Sequence, residues 1–413
     1  MRFIYVLPKK VFEMKMRKKR KLPNIAIIVM DTMRLDTFNE IENEKHSFRN
    51  LGAVEIKNCI APAPWTLPSH ASLFTGMYPK DHGAHETKTA KLQDIEKVKL
   101  KKRTFVADLN DVGYQTYGIS ANMIVSPLYG FGEFRHFYDT FIFAPPLMKG
   151  SEKLRSQLGK YIKKYGDRKK TLAKMVIKED PTLMLKEALA VAQNLPNQLP
   201  KWLKARIVKG WPKNMGGDNT IRIIKKTKFK SPFFIFVNIM EAHDPYTNKF
   251  GGIVYLNNPL IGKKPTIKEV NFWKMYYKIA AERAYNIAIV TARQILKNDS
   301  KTTIIITSDH GQAFDENGFS GHGTMLYDSL IKVPMLLINN KTKKITTKNK
   351  YSSNTNVKAY IEALVNGKPN VNLLYSEHVY SESFGYPVII PENVDYGELG
   401  RFYDVYRKRK FKD

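Results

Sequence analysis

Carboxylates and imidazoles gather where apolar runs stop. NIAIIVM, from Asn24, is followed by Asp31. FFIFVNIM, from Phe233, runs into Glu241, His243 and Asp244, and TTIIITS, from Thr302, is followed by Asp309 and His310. A lone aspartate after a strand is usually a helix cap or turn residue. Three loaded ends among four strong runs are harder to explain that way. Ligands of an open α/β sheet sit beyond the carboxyl ends of its strands, so side chains placed there converge on one pocket. A second candidate is the hydroxyl of Thr66, within APAPWTLPSHASLFTGMYPKDHGAH (Ala61–His85). It stands just before a helix expected at Ser69–Phe74, where unbonded amides and the positive dipole end hold anions. That setting suits attack on a phosphorus or sulfur centre; a plain N-cap threonine is the bland alternative. The third is His322, between two glycines in GFSGHGTMLYDSLIKVPMLL, where the backbone permits close approach of a ligand.

The elements that must position these residues are legible in outline. The four runs, of which VPMLLIN from Val333 is the fourth, are continuous rather than alternating, as in parallel strands buried on both faces. TYGIS at Thr116 and EHVYSES at Glu377 are weaker strand candidates. Helical patterns lie between them: FVADLNDVG at Phe105, and a long run from Lys268 in which Phe272, Met275, Tyr276, Ile279 and Ala280 keep the spacing of one buried face. Strands alternating with helices predict an α/β class, a layered α/β/α domain with a largely parallel central sheet. Residues 149–230 break the rhythm with Pro196, Pro200, Pro212 and a Gly216-Gly217 pair. They read as a basic, mostly helical insertion, either a lid or a docking surface. The expected organisation is a basic extension over 1–22, the layered domain over 23–148 and 231–365, the insertion between, and a small C-terminal subdomain with a basic tail over 366–413.

The 413 residues are 43% hydrophobic and 26% charged, which excludes a disordered or collagen-like chain. The single cysteine, Cys59, excludes an intramolecular disulfide and suits a reducing compartment. No run approaches the ~18–20 apolar residues of a membrane helix, so the chain reads as cytoplasmic. The formal net charge of +30 is regional. Residues 1–22 carry nine Lys/Arg against one Glu, 149–230 carry twenty-two against six acids, and the tail from Arg401 carries six against two. Clustered bases predict an anionic partner or peripheral association with an anionic membrane. No nucleic-acid module is recognisable.

The ordered set Asp31, Thr66-x-Pro68-Ser69-His70 with Thr75-Gly76-x-Tyr78-Pro79-x-x-His82-Gly83, His243-x-Pro245-Tyr246, Ser308-Asp309-His310-Gly311 and Gly321-His322-Gly323 resembles the alkaline phosphatase/sulfatase superfamily. The resemblance runs from about residue 23 to 365 and implies an alkaline phosphatase-like fold. It implies that Asp31, Asp309 and His310 bind a divalent metal, with Thr66 the nucleophile that also touches it. Carboxylate and imidazole ligands suit Zn²⁺ or Mn²⁺, with Mg²⁺ or Ca²⁺ as alternatives. His243, His322 and Asp244 would bind a second metal or the substrate's oxygens. Asn122 and His70 are weaker candidates for substrate binding.

The departures point to a subclass. Sulfatases proper carry Cys or Ser, then x-Pro-x-Arg, and convert the first residue to formylglycine; here those positions are Thr66 and His70. Thr-x-Pro-x-His followed by Thr-Gly-x-Tyr-Pro looks closer to nucleotide pyrophosphatase/phosphodiesterases, and phosphoglycerol and phosphoethanolamine transferases also use a threonine. The Asp-x-x-x-His pair of a two-metal phosphodiesterase is not matched, since Asn248 stands four positions after Asp244. The reading is a metal-dependent hydrolase or transferase acting on phosphoesters through a covalent phospho-threonine, on an anionic ester that is lipid-linked or polymeric. The alternatives are a sulfuric ester hydrolase without formylglycine, and a polyanion- or nucleic-acid-binding protein with a degenerate active site.

Overall fold

Ile25–Met30 (β1) is apolar throughout and fully buried, because it runs through the middle of a sheet covered on both faces. The computed structural model describes residues 21–141, 214–246, 265–339, 347–385 and 406–412, apart from residues 88, 89, 91, 93, 245 and 349. The N-terminal extension before Lys21 and the insertion up to residue 213 lie outside the described residues, as do Pro245 and Asn248.

In chain order the other strands of the sheet are β2 (Val54–Glu55), β3 (Gln115–Ser120), β4 (His136–Asp139), β5 (Phe233–Ile239), β6 (Thr303–Thr307) and β7 (Met335–Ile338). They lie in the order β2-β7-β6-β1-β5-β3-β4. β1 pairs in parallel with β5 and β6, Ile25 facing Phe234 and Thr303. β3 and β4 continue the parallel run beyond β5. The helices that cover it include α1 (Leu35–Lys45), α2 (Thr66–Thr75), α3 (Phe105–Asp111), α4 (Gly217–Lys226), α5 (Ile267–Asn298) and α6 (Val357–Val365). Alternate strand residues feed opposite cores, as the two-residue period requires. Ile25, Ile27, Phe234, Phe236 and Ile305 pack with α2, α3 and α6, whereas Ala26, Ile28, Ile235, Val237 and Ile306 pack with α1, α4 and α5. The expected α/β/α layering is present.

Several local expectations are corrected. The fourth apolar run is antiparallel: β7 pairs Met335 with Thr307 and Ile338 with Ile304. A parallel return needs a crossover to the far end of the sheet. Here the intervening residues are spent at the carboxyl end of β6, so β7 begins where β6 stops. EHVYSES is a strand, β8 (His378–Ser383), but it pairs outside the sheet with the basic tail, β9 (Arg407–Lys412). The buried face of α5 is led by Val270, Trp273, Tyr277, Ala281 and Ala284, while Met275 is 51% exposed. The predicted face was rotated by about one residue. The reason is Tyr277, whose hydroxyl must reach inward to donate to Thr32 O (2.9 Å) and accept from Arg34 N (2.8 Å). Finally, helix α4 falls within the expected insertion, yet Ile224 lies in the second core. The Gly216-Gly217 pair opens this helix, and Gly217 has no room for a Cβ, which would come within 2.6 Å of Glu241 Oε1.

Candidate active site

Thr66 is the first residue of α2 rather than the residue before a helix, and the helix begins three residues earlier than the sequence suggested. Pro68 fits in the first turn because an amide there has no helical partner to lose. The cap position is Trp65, in extended conformation, and no side chain caps the helix. The N-cap alternative for Thr66 is thereby removed. Ser69 Oγ ties the first turn back to Ala63 O (2.8 Å), fixing the chain's approach to the hydroxyl.

Strand ends bring the rest together. Asp31 leaves β1 with its amide bonded to Ile239 O (2.9 Å), at the end of β5. The next residue, Thr32, has φ of 64°, a left-handed conformation costly for a β-branched residue. It turns the Thr32 amide onto Asp309 Oδ1 (3.1 Å), so strain in the backbone joins the exits of β1 and β6. Gly311 closes the Asp-His-Gly segment because the Leu330 carbonyl accepts its amide (2.8 Å), and a Cβ there would lie 2.0 Å from Ser329 O.

Asp31, Asp309 and His310 are buried, with ligand atoms all within 4.8 Å of one another. Thr66 Oγ1 is 3.4 Å from His310 Nε2. Asp31 Oδ1 accepts from Thr32 Oγ1 (2.9 Å) and Oδ2 from Asn122 Nδ2 (2.8 Å) and Asn238 Nδ2 (3.2 Å). Asp309 Oδ1 accepts from Thr32 N and His310 N, but Oδ2 accepts no hydrogen bond; it lies 3.4 Å from His310 Nε2 and 3.5 Å from His70 Nδ1. Burial opposes the charge on Asp31, but His243, His310, His70 and the Asn122 amide outweigh it and hold the carboxyl below its usual range. Burial, then the charge of Asp31, push Asp309 well above it. Burial likewise holds His310 down to about 4, so its imidazole is neutral. Its Nδ1 faces Gly311 O (2.8 Å), which leaves the Nε2 lone pair toward the carboxylates. Two buried carboxylates, one oxygen lacking a donor, a neutral imidazole and a hydroxyl form a donor set that fits a divalent cation.

His243, Asp244 and His322 form a second group whose ligand atoms also lie within 4.8 Å of one another. His322 bridges the two groups, its ring 4.6 Å from that of His310 and 5.1 Å from that of His243. His243 Nδ1 contacts Asp244 O (2.7 Å) and Oδ1 (3.0 Å). Burial works against its charge, but Asp244 and then Asp31 raise its pKa above the usual value. His322 is held well below, by burial and then by His310 and His243. Its Nδ1 is 2.7 Å from Gln312 Oε1, and Gln312 is itself fully buried, its carbonyl accepting from Arg34 Nη1 (2.7 Å).

The structure therefore gathers Asp31, Thr66, Asp309, His310, His243, Asp244 and His322. Two expected substrate contacts lie behind this group. Asn122 donates its amide to Asp31. His70 is fully buried, faces Thr66 O (3.0 Å) and Asn238 Nδ2 (3.3 Å) and packs on Phe236, so it supports the turn that carries Thr66. Glu241 accepts the Met215 and Gly217 amides (3.1 and 2.7 Å) and anchors α4. Asn238 was missed, although a polar residue inside an apolar strand is a readable signal; Gln312 carried none. A cleft of about 670 Å³ lined by Arg34, Glu316, Asp328 and Arg409 includes none of the gathered residues, and its charges pair among themselves.

Comparison with known proteins bears on the fold and the family. A phosphonate monoester hydrolase from Silicibacter pomeroyi has a similar structure, with TM-score 0.55 and 14% identity over 92% of this chain and 83% of that one. A 2-O GAG sulfatase gives TM-score 0.52 at 12% identity, and a putative sulfatase from Bacteroides thetaiotaomicron gives 0.52 at 11%, each over 88% of this chain and 78% of the other. These likenesses support an alkaline phosphatase-like fold. A search of curated protein sequences finds no significant match. Enzymes of the sulfatase family act on sulfate or phosphate esters with a divalent metal. The Sulfatase family model matches residues 23–366, and the chain belongs to that family.

Proposed function

We propose that this sulfatase-family enzyme is a metal-dependent phosphoester hydrolase or transferase in which Thr66 is the nucleophile. The observation that carries the reading is the Thr66 hydroxyl, on the first residue of a buried helix, unused as a cap and 3.4 Å from His310 Nε2 in the Asp31–Asp309–His310 cluster. Threonine in place of the cysteine or serine that becomes formylglycine supports phosphoryl over sulfuryl chemistry. A divalent cation held by Asp31, Asp309, His310 and Thr66 Oγ1 would lower the hydroxyl's pKa and offset charge on the ester.

The chain's own residues supply the rest. The N-terminus of α2 places the positive helix end beside the incoming anion. With its Nδ1 tied to Asp244 and its pKa raised, His243 has an Nε2–H left to donate to the ester, whereas His322, its Nδ1 proton held by Gln312, turns an Nε2 lone pair toward the site. Thr66 Oγ1 forms a bond to phosphorus as the bond to the leaving oxygen breaks, and His243, whose pKa is raised, gives that oxygen its proton. Water or an acceptor alcohol, losing its proton to the now neutral His243, then displaces the threonine oxygen and regenerates Thr66 and the protonated His243. Thr66→Ala should abolish turnover of bis(p-nitrophenyl) phosphate while the fold, followed by circular dichroism, is unchanged. Full activity in that variant would remove Thr66 from the mechanism. The family match keeps sulfate ester hydrolysis as the second reading; parallel assays of aryl sulfate, phosphate monoester and phosphodiester separate the two.

A further inference from the structure

A buried imidazole beside α2 has no part in the reaction as derived so far. His82 ends the short helix Pro79–His82. Gly83 then takes φ of 71° and reverses the chain, a turn that glycine makes without a Cβ penalty. The reversal brings the Ala84 amide back to His82 Nδ1, to which it donates (3.0 Å). A ring nitrogen that accepts carries no proton, so the imidazole proton sits on Nε2. That nitrogen faces α2, 3.2 Å from Pro68 O and 3.0 Å from Ser72 Oγ. Burial, and then the neighbouring His85, hold the pKa down to about 3, so the ring is neutral. The short helix is itself pinned to β8, where Lys80 N donates to Glu382 Oε2 (2.9 Å) and Tyr380 N to Tyr78 Oη (3.2 Å).

Pro68 stands two residues after Thr66, in the opening turn of α2, and no side chain caps that turn. Three side chains reach its carbonyls instead. Ser69 Oγ donates to Ala63 O, His70 Nδ1 faces Thr66 O, and His82 Nε2 faces Pro68 O. Ser69 and His70 lie on α2 itself and move with it, whereas His82 ties the turn to a separate element. We propose that His82 is a positioning residue for the nucleophile: its Nε2–H holds the Pro68 carbonyl and so fixes the direction in which the Thr66 hydroxyl leaves α2. The inference rests on Thr66 as the nucleophile, and His82 acts through it without exchanging a proton with the ester. A histidine kept only for packing is replaceable by any side chain of similar volume. One kept for its donor is replaceable only by a donor of the same reach.

The test is steady-state kinetics of the full chain, supplied with zinc or manganese, on bis(p-nitrophenyl) phosphate. His82→Gln keeps an amide N–H at the reach of imidazole Nε2. His82→Asn is too short to meet Pro68, and His82→Met fills the ring's volume without a donor. The Asn and Met variants should each lose about tenfold or more in kcat with KM within about twofold, since a misplaced reacting atom costs rate rather than binding. His82→Gln should stay within about threefold of the parent and keep both limbs of its pH profile. Equal losses in all three variants, or losses that only follow Tm, would reduce His82 to packing and overturn the inference. So would parent activity in His82→Met, a rise in KM in place of the fall in kcat, or a limb missing from the His82→Gln profile, which would make the imidazole an acid or base. A failure of this inference alone leaves Thr66→Ala inactive and His82→Met active, whereas full activity in Thr66→Ala sinks the proposed nucleophile itself.

Discussion

Gln312 decides what His322 can do. Its Oε1 lies 2.7 Å from His322 Nδ1, which keeps the proton on that nitrogen and leaves Nε2 as an acceptor toward the site. Gln312→Ala is expected to lower kcat/KM about 10–100-fold, the usual range for losing such a support, whereas Gln312→Glu, which preserves the acceptor, should stay near the parent. Steady-state kinetics on one aryl ester distinguish them, and equal losses in both would deny the acceptor role. At this scale the sequence was most informative. Asp31, Thr66, Asp309, His310, His243 and His322 could be named because each follows a strand or opens a turn, where a reactive group has few other duties. Their supports were less legible. His70 and Asn122, the weaker candidates for substrate binding, face Thr66 O and Asp31, a direction that residue type does not reveal.

Helix α5 shows where periodicity misleads. Aromatic residues occupy Phe272, Trp273, Tyr276 and Tyr277, so two neighbouring stripes read as equally apolar. The hydrogen bonds of Tyr277 to Thr32 and Arg34 fix the stripe that contains it against the strand exit. Trp273→Ala should cost about 3–5 kcal/mol, as for a buried aromatic, while Met275→Ala should be near neutral; urea denaturation of the two variants checks the register. Tyr277→Phe should cost about 1–3 kcal/mol through its two lost bonds and should also reduce turnover, since those bonds hold the exit of β1. Strand positions were legible because continuous burial demands continuous apolar sequence. The direction of β7 was not, because composition is the same for either polarity and only the route of residues 308–334 decides it.

On the scale of the whole molecule, two buried carboxyls sit at the junction of three parallel strands. Without a bound cation, burial and their proximity raise the Asp309 pKa well above its usual value, so ionising both to hold a metal couples the ion to the stability of the fold. Chelation is therefore expected to lower Tm by several degrees, and zinc or manganese to restore it by linkage. In Asp309→Asn the chelator should have little effect. Differential scanning fluorimetry with and without EDTA reads both, and a chelator-insensitive parent would count against a resident ion. The layered architecture followed from the alternation of elements in the sequence, but the fate of the basic tail did not, since RKRKFK looks like a solvated terminus. Phe411 instead packs with Ile60, shortly before Thr66, and with Ala313, just after His310. Trimming the chain ahead of Arg407 would thus pull a plug from the wall shared by both halves of the reactive centre, and a shortened product that still folded should be a poor enzyme.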